Sequence, residues 1–164
     1  GRQRYADVDT LMQTVLRDAE ALRGPLTALV AADAQAYEQV RTAHRLPKVP
    51  PEERAARSDA IQTAMRAASL TPLETMRACL AVLRLAEQAV RLGNVNAATD
   101  GAVGALLAEA GLRGAALNVR VNLGGIDDRS FTSACEQEVV ALLAEAEVVT
   151  GRILAAVETR LAQP

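Results

Sequence analysis

The chain has 164 residues, of which 50% are hydrophobic but only 2% aromatic, and it contains no tryptophan. This length is sufficient for a single domain whose core needs no disulfide or metal. A core of alanine, leucine and valine favours closely packed helices over a β-sandwich or barrel. The formal net charge of −2 provides no long-range attraction for nucleic acid or an anionic membrane, so we expect neither partner.

Three further features narrow the class of protein. No uninterrupted apolar run approaches the roughly 18 to 20 residues of a transmembrane helix, and no signal peptide is recognisable, so we expect a cytoplasmic protein. Cys79 and Cys135 lie in helical patterns and are expected to be buried, inert thiols rather than a disulfide. Because His44 is the only histidine, we expect no metal site.

The first predicted helix extends from about Ala6 to Arg45. Pro25 falls inside it, and we expect a kink or short break there because proline removes a backbone donor and crowds the preceding turn. The proline-rich segment 46–51 ends this helix and forms a stiff connector. The apolar stripe of the helix consists of Val8, Leu11, Val15, Ala19, Leu22, Leu26, Leu29 and Val40.

Two shorter helices are predicted next. The second covers residues 52–69, with two glutamates in its first turn, where the helix dipole favours anions. A third starts near Thr71, because Thr71 can cap, Pro72 suits the first helical position and Glu74 completes a capping box. It extends to about Leu92, with inward positions at Met76, Leu80, Leu83 and Val90.

A fourth helix is predicted from about Asn96 to Leu123, after Gly93-Asn94 stops the third in a left-handed cap. Four glycines inside it each weaken a helix by about 1 kcal/mol relative to alanine, which suggests that another backbone or a ligand comes close. These glycines are Gly101, Gly104, Gly111 and Gly114. The predicted inward positions are Val103, Leu107, Ala110, Leu117 and Val121.

The last helix is predicted after Gly124-Gly125, with Asp127 or Asp128 as its cap. Its apolar stripe starts at Phe131 and continues to Leu161. No segment shows the alternation of a strand. The sequence therefore predicts an all-α, up-and-down bundle of about five helices, in a single domain over residues 1–164.

Asp33 stands where the apolar stripe of the first helix calls for an aliphatic residue. A buried charge without a partner is costly, so such a residue indicates pairing, chemistry or a wet cleft. Asp33 is either a general acid or base, or a buried aspartate paired with an arginine or capping another helix. Tyr37, one turn later, either orients Asp33 or stacks on a ligand, or it is a core aromatic.

Further polar residues repeat this helical spacing. Asn118 and Asn122 suit a planar heterocycle with mixed hydrogen-bonding edges, or they join helices inside the bundle. Asn96 and Asp100 either cap the fourth helix or belong to the same site. Lys48, the only lysine, either meets an anionic ligand tail or is simply solvated.

Seven short motifs follow one another along the chain: Asp33-Ala-Gln-Ala-Tyr37, Leu46-Pro-Lys48, Arg57 to Gln62, Pro72-Leu73, Gly93-Asn-Val-Asn-Ala-Ala-Thr-Asp100, Gly114-Ala-Ala-Leu-Asn-Val-Arg-Val-Asn-Leu123 and Ile126-x-Asp128. In this order they resemble the cyclodeaminase/cyclohydrolase family. That family includes the C-terminal domain of formiminotransferase-cyclodeaminase and bacterial methenyltetrahydrofolate cyclohydrolases. The resemblance covers nearly the whole chain.

The resemblance implies an all-helical homodimer that handles one-carbon units on tetrahydrofolate, with no cofactor beyond that substrate. The family's catalytic aspartate lies in an Asp-Ala-x-Ala-aromatic motif, which corresponds to Asp33. The asparagines and Asp100 become candidates for binding the pterin or ordering Asp33, and Lys48 for binding the glutamate tail. The candidate substrate-binding residues are Tyr37, Lys48, Asn94, Asn96, Asp100, Asn118 and Asn122. A copy of the chain can also cover the flat, glycine-containing face of an alanine-rich bundle.

Two reactions are implied. The first expectation is a formiminotetrahydrofolate cyclodeaminase. In its reaction, N10 attacks the formimino carbon and ammonia leaves, giving 5,10-methenyltetrahydrofolate. In the alternative, a methenyltetrahydrofolate cyclohydrolase, water attacks the methenyl carbon and the ring opens to 10-formyltetrahydrofolate. Both need a group that moves protons. A further alternative is a catalytically silent helical module that binds folate or a partner helix, or a purely structural bundle.

The sequence departs from the family at its start. Family members carry a Gly/Ser-rich and then Ala-rich segment ahead of a Gly–basic–Tyr motif, which here opens the chain as Gly1-Arg-Gln-Arg-Tyr5. We therefore expect a domain that lacks one inner N-terminal helix. Arg2 and Arg4 have the same two interpretations as Lys48.

Overall fold

The structure is a computed structural model that describes residues 6–162, and the opening segment with Arg2 and Arg4 lies outside the described residues. The described chain contains four long helices and no strand. They are α1 (Asp9–Arg45), α2 (Pro51–Leu92), α3 (Ala98–Leu123) and α4 (Arg129–Leu161), with a single 3-10 turn, Val95–Ala97, before α3. The all-α prediction is confirmed, with one long helix fewer than expected.

The difference in helix number arises at Pro72. The predicted second and third helices are one 42-residue helix, α2, which continues through this proline. Thr71 does not cap a new helix, because its Oγ1 donates to the backbone oxygen of Ala67, 3.4 Å away, as a threonine does inside a helix. Pro72 is buried, so packing of the surrounding helix overrides the local start signal.

Pro25 does not interrupt α1 either. The expected break is absent, and the helix continues to Arg45 as predicted. Ala21, whose carbonyl loses its helical partner to Pro25, is exposed, so water can satisfy that carbonyl. Solvent can therefore replace the hydrogen bond that the proline removes, and the helix continues past it.

α2 is the central helix and contacts α1, α3 and α4, and α3 also packs against α4. The inward positions predicted for α2 and most of those predicted for α4 are buried. The largest fully buried aliphatic side chains are Leu73, Met76, Leu83, Val90, Leu112, Val119, Val139, Val149 and Ile153. α1 buries only Val15, Ala36 and Ala43, so it lies on the outside of this core.

The predicted orientation of α3 is wrong. Val103, Leu107, Leu117 and Val121 were the expected inward residues, but they are 57%, 70%, 62% and 75% exposed. The buried face is formed by Ala102, Ala105, Leu112, Ala115, Ala116, Val119 and Leu123. Because α3 is apolar on nearly all sides, periodicity does not identify its inner face, and the small residues decide it by allowing close approach.

The close approach expected at the α3 glycines occurs at two of the four. A Cβ on Gly101 would lie 2.6 Å from Cγ2 of Val90, and one on Gly111 would lie 3.3 Å from Sγ of Cys79. No atom lies within 4 Å of a Cβ built on Gly104 or Gly114, so these two face open space. Gly101 and Gly111 therefore bring α3 against α2.

α2 and α4 end and begin where the sequence predicts, but the capping geometry is not always the predicted one. α2 ends at Leu92, and Gly93 follows as its C-cap. Gly93 has a φ of −76°, and no positive φ occurs among the described residues, so the left-handed cap is wrong. Asp128 caps α4 as predicted, since its side chain accepts from the backbone nitrogens of Ser130 and Phe131.

Among the described residues, one helical stretch, Val95–Leu123, is long and apolar enough to cross a membrane by length and composition. The criterion of an uninterrupted apolar run missed it, because charged residues divide it. A single such helix is weak evidence, since the core helix of a soluble protein passes the same test. Here the helix buries one face against α2 and α4.

Candidate functional site

A groove lies between α1 and α3, with α2 as its floor. Two cavities of about 280 and 410 Å³ open along it. Asp33 of α1 and Asn118 of α3 line both cavities, so they stand on opposite walls where the cavities meet. A site with two compartments joined at a carboxylate and an amide is therefore present on the protein surface.

The two cavities are named here after the side chains that line them. The smaller one, the polar cavity, is lined by Asp33, Ala36, Tyr37, Val40, Ala68, Asn118, Val121 and Asn122. The larger one, the apolar cavity, is lined by Leu26, Leu29, Val30, Asp33, Pro72, Thr75, Gly111, Gly114, Ala115 and Asn118.

Asp33 is exposed rather than buried in the core, so its alternative interpretation as a buried aspartate is wrong. α1 turns Ala36 and Ala43 towards α2, and this places Asp33 beside the groove. Among the described residues no side chain forms a hydrogen bond or ion pair with its carboxylate. Of the three explanations for a polar residue in this stripe, the wet cleft agrees with the structure, and the carboxylate is free to meet a ligand.

Tyr37 is 65% exposed, so its interpretation as a core aromatic is wrong. It lies one turn after Asp33 on the same face of α1, together with Ala36 and Val40. Its ring forms part of the wall of the polar cavity. Tyr37 is therefore available for stacking on a planar ligand.

The two asparagines of α3 have different surroundings. Nδ2 of Asn122 donates to the backbone oxygen of Ala68 in α2 at 2.8 Å, which confirms that this residue joins two helices. Asn118 is exposed, and within the described chain its side chain forms no hydrogen bond. Both line the polar cavity, so the expected asparagine pair does face one site.

The remaining predicted residues are not brought to the groove. Asp100 is in the first turn of α3, about 27 Å along the helix from Asn118 at about 1.5 Å per residue. Asn94 and Asn96 lie beside it, where Oδ1 of Asn94 accepts from the backbone nitrogen of Asn96 at 3.1 Å. The expectation that these three residues share a site with Asp33 and Asn118 is thus wrong within one chain. Their contact with substrate stays a prediction.

Lys48 lies in the exposed connector between α1 and α2. The end of α1 at Arg45 is about 18 Å along the helix axis from Asp33. Of the two cavities, the polar cavity lies nearer to this end of α1, because Tyr37 and Val40, which line it, follow Asp33 towards Arg45. Lys48 therefore contacts only a ligand that extends well beyond the cavities.

One residue that attaches the end of α3 to α2 has no predicted role. The side chain of Gln62 donates from Nε2 to the oxygen of Gly125 at 3.0 Å, and its Oε1 accepts from the nitrogen of Asp127 at 2.9 Å. These bonds hold the turn that follows α3 against α2. Arg66 adds an ion pair to Asp128 at 3.0 Å. Gln62 falls within a motif of the family resemblance, but no local pattern reveals that its partners are backbone atoms of a distant turn.

Both cysteines are free and buried, as predicted. Burial raises the pKa of the Cys79 thiol, and it is the largest cause of the raised pKa of Cys135. A raised pKa keeps a thiol protonated and unreactive, in agreement with inert cysteines. In the described part of the chain, no three His, Cys, Asp or Glu residues are grouped so that they could hold a metal ion.

The similarity to known proteins agrees with this architecture. Residues 1–141 match the family described as formiminotransferase-cyclodeaminase. The chain belongs to this family. The family resemblance expected from the ordered motifs is therefore confirmed.

Individual relatives carry two different enzyme names. The chain is 42% identical over 161 residues to the methenyltetrahydrofolate cyclohydrolase of Methylorubrum extorquens, covering 98% of this chain and 77% of that protein. It is 32% identical over 162 residues to the formimidoyltransferase-cyclodeaminase of Sus scrofa, covering 99% of this chain but only 30% of that protein. The crystal structure of formiminotetrahydrofolate cyclodeaminase from Thermotoga maritima superposes with a TM-score of 0.84 at 25% identity, covering 96% of this chain and 74% of that one. The named members of the family are thus enzymes of folate one-carbon chemistry.

Proposed function

We propose that this protein is a methenyltetrahydrofolate cyclohydrolase, which hydrolyses 5,10-methenyltetrahydrofolate to 10-formyltetrahydrofolate. The observation that carries this proposal is the 42% identity to a protein of that name over 98% of the chain. The sequence predicts the cyclodeaminase first and the cyclohydrolase as its alternative, and the comparison favours the alternative. The porcine cyclodeaminase is less similar, at 32%, and the chain spans only 30% of it.

The shape of the groove supports a folate ligand. In 5,10-methenyltetrahydrofolate the reacting carbon joins N5 of the pterin to N10 of the aminobenzoyl group, so it lies between two ring systems. Asp33 and Asn118 likewise lie between two cavities. A ligand with one ring system in each cavity would hold its one-carbon bridge beside the Asp33 carboxylate.

The proposed role of Asp33 is to move protons. Water adds to the methenyl carbon and passes a proton to the carboxylate, which leaves a tetrahedral carbon bearing a hydroxyl between N5 and N10. The bond from this carbon to N5 then breaks, N5 takes a proton from Asp33, and the hydroxyl proton is released as the formyl carbonyl forms on N10. One water is consumed and one proton is released. An exposed carboxylate without a protein partner suits both transfers.

The cyclodeaminase is the second candidate, because the solved structure with a TM-score of 0.84 carries that name. In this reaction N10 attacks the carbon of the protonated formimino group of 5-formiminotetrahydrofolate, and the amino group of the tetrahedral intermediate leaves as ammonia. Asp33 would accept the N10 proton and donate to the departing nitrogen. The same groove and the same carboxylate therefore serve either chemistry.

An absorbance assay of 5,10-methenyltetrahydrofolate separates the candidates. Full-length protein is given the methenyl compound in one cuvette and 5-formiminotetrahydrofolate in another. Faster loss of methenyl absorbance than in buffer, with formation of the 10-formyl product, is the expected result. Methenyl formation with release of ammonia would instead make the protein a cyclodeaminase. Silence in both cuvettes would favour a binding module.

The first prediction concerns Asp33. Asp33→Asn should lower turnover by about two to four orders of magnitude, because an amide cannot exchange protons with the substrate. Asp59→Asn is the matched control, since Asp59 is exposed on α2 and lies outside both cavities. Equal activity of the two variants would remove Asp33 from the mechanism.

A further inference from the structure

Pro72 leaves a backbone acceptor without its usual partner beside the groove. A residue at this position of α2 would normally donate its N–H to the carbonyl of Ala68, four residues earlier, but proline has no N–H. Ala68 is buried, so solvent is a poor substitute. Nδ2 of Asn122 donates to this carbonyl from α3 at 2.8 Å. The asparagine therefore replaces the helix bond that the proline removes.

This contact determines which way the amide of Asn122 is oriented. A carbonyl oxygen only accepts, so the nitrogen of the amide must face Ala68 and the oxygen must lie on the opposite branch. Within the described chain, Oδ1 of Asn122 has no hydrogen-bond partner. Ala68 and Asn122 both line the polar cavity. The free oxygen is thus the part of this side chain left for a ligand.

We infer that Pro72 and Asn122 act together to give the polar cavity a fixed hydrogen-bond acceptor, which selects substrate by a donor N–H group. This inference rests on the proposed function for its ligand class, a reduced folate, whose pterin and amide nitrogens carry such donors. Asn118 differs because its amide has no protein partner and can present either end. Asn122 therefore accepts a hydrogen bond only from a donor group of the ligand, whereas Asn118 can either donate or accept.

The second prediction uses Pro72→Ala, which restores a backbone N–H for Ala68. In that background, Asn122→Ala should fold with nearly the stability of Pro72→Ala alone, whereas Asn122→Asp should be less stable, because one carboxylate oxygen then faces the carbonyl of Ala68. Asn122→Ala lacks the acceptor and should bind 5-formyltetrahydrofolate about 3- to 10-fold more weakly, the effect of one hydrogen bond. Asn122→Asp keeps an acceptor oxygen and should bind within about 2-fold of its parent. Isothermal titration calorimetry provides the dissociation constants.

The kinetic parameters provide a second readout. With the methenyl substrate, Asn122→Ala in the Pro72→Ala background should raise KM while kcat stays close to its parent value. Equal binding by all three proteins would show that Asn122 only repairs the helix and would overturn the inference. Equal weakening by the alanine and aspartate variants would overturn it too. If the unmodified protein does not bind 5-formyltetrahydrofolate at all, the proposed function is wrong, and the inference about Asn122 is not what failed.

A measurement on the unmodified protein covers the case in which the Pro72→Ala variants do not fold. The side-chain NH₂ resonances of Asn122 should be protected from solvent exchange before 5-formyltetrahydrofolate is added, and they should remain protected in the complex. Loss of this protection on binding would mean that the nitrogen leaves Ala68 to contact the ligand. That result would overturn the inference.

Discussion

Among the described residues, Asp33 and Asn118 form no ion pair or side-chain hydrogen bond, and the ion pairs of α1 stay within that helix. On α1, Arg23 and Arg41 pair with glutamates of the same helix, one turn away. No arginine is therefore directed at Asp33 from its own helix. The absence of a partner distinguishes a carboxylate that can exchange protons from one that only stabilises the fold.

At the same scale, Lys48 leads to the third prediction. It lies beyond the polar cavity, at a distance that only an extended glutamate tail would reach. Lys48→Gln should therefore raise KM several-fold for a triglutamyl substrate and change it little for the monoglutamate, because one exposed charge pair contributes at most about 1 kcal/mol. Arg129→Gln, at the exposed start of α4, is the control. An equal effect on both substrates would argue against contact with the tail.

At the scale of helices, α2 and α4 are joined differently from α1 and α2. Arg77, Arg84 and Arg152 each form an ion pair between α2 and α4. The end of α1 is instead held by Arg57, which donates to the carbonyl of His44 at 3.1 Å. α1 otherwise relies on a few small buried residues. Among the described residues, the ion pairs of α1, one wall of the groove, stay within that helix.

The fourth prediction concerns Glu87, which joins α2 to α4. Its side chain is only 14% exposed, and the hydrogen bond from Arg152 is the main cause of its lowered pKa. A carboxyl whose pKa is lowered by folding stabilises the protein above its unfolded pKa of about 4.3, and this contribution is lost as pH falls through the folded value. Glu87→Gln should therefore lower the free energy of unfolding by about 1 kcal/mol at pH 7, discounted because Arg152 is half exposed.

Urea unfolding at several pH values checks this prediction. The difference between the wild-type protein and Glu87→Gln should shrink as pH drops below about 4. Glu147→Gln is a suitable control, because Glu147 is exposed on α4 and has no ion pair among the described residues. A difference that is constant from pH 7 to pH 3 would show that packing, rather than charge, explains the effect.

At the scale of the whole molecule, α3 has apolar residues on two opposite sides, but only one side is covered. The exposed side forms a stripe whose members follow one another at alternating steps of four and three: Val103, Leu107, Ala110, Gly114, Leu117 and Val121. This spacing is typical of a seam between two helices. A helix that is apolar all round is normally buried on all sides. The stripe therefore indicates that something covers it, and Gly114 and Val121 place that cover at the edge of the groove.

The fifth prediction is that a second copy of the chain covers this stripe in a homodimer. Leu107→Glu places a charge at its centre and should convert the protein to a monomer, as measured by light scattering at micromolar concentration. Val148→Glu, on the exposed face of α4, should leave the dimer unchanged. A wild-type protein that is monomeric at this concentration would contradict the prediction and leave another chain segment or a membrane as the cover.

The sequence by itself determined the helical class, the ends of the long helices, the inner faces of α2 and α4, and the family. These features depend on local capping and turn chemistry, and on stripes whose opposite face is polar. The sequence also singled out Asp33, which lines both cavities, because a carboxylate in an aliphatic stripe is unusual wherever the helix packs. The asparagine pair of α3 was found from its spacing alone.

Only the tertiary structure decided the rest, because it depends on contacts between residues far apart in the chain. Pro72 lies inside α2, where it is buried and where Asn122 of α3 donates to the carbonyl of Ala68, and no pattern around the proline contains these contacts. Which side of α3 is buried depends on small residues meeting α2, since both sides are apolar. Within one chain, the length of α3 keeps Asn96 and Asp100 away from the groove. Local periodicity reports the spacing of residues, whereas the site is made by whichever helices pack side by side.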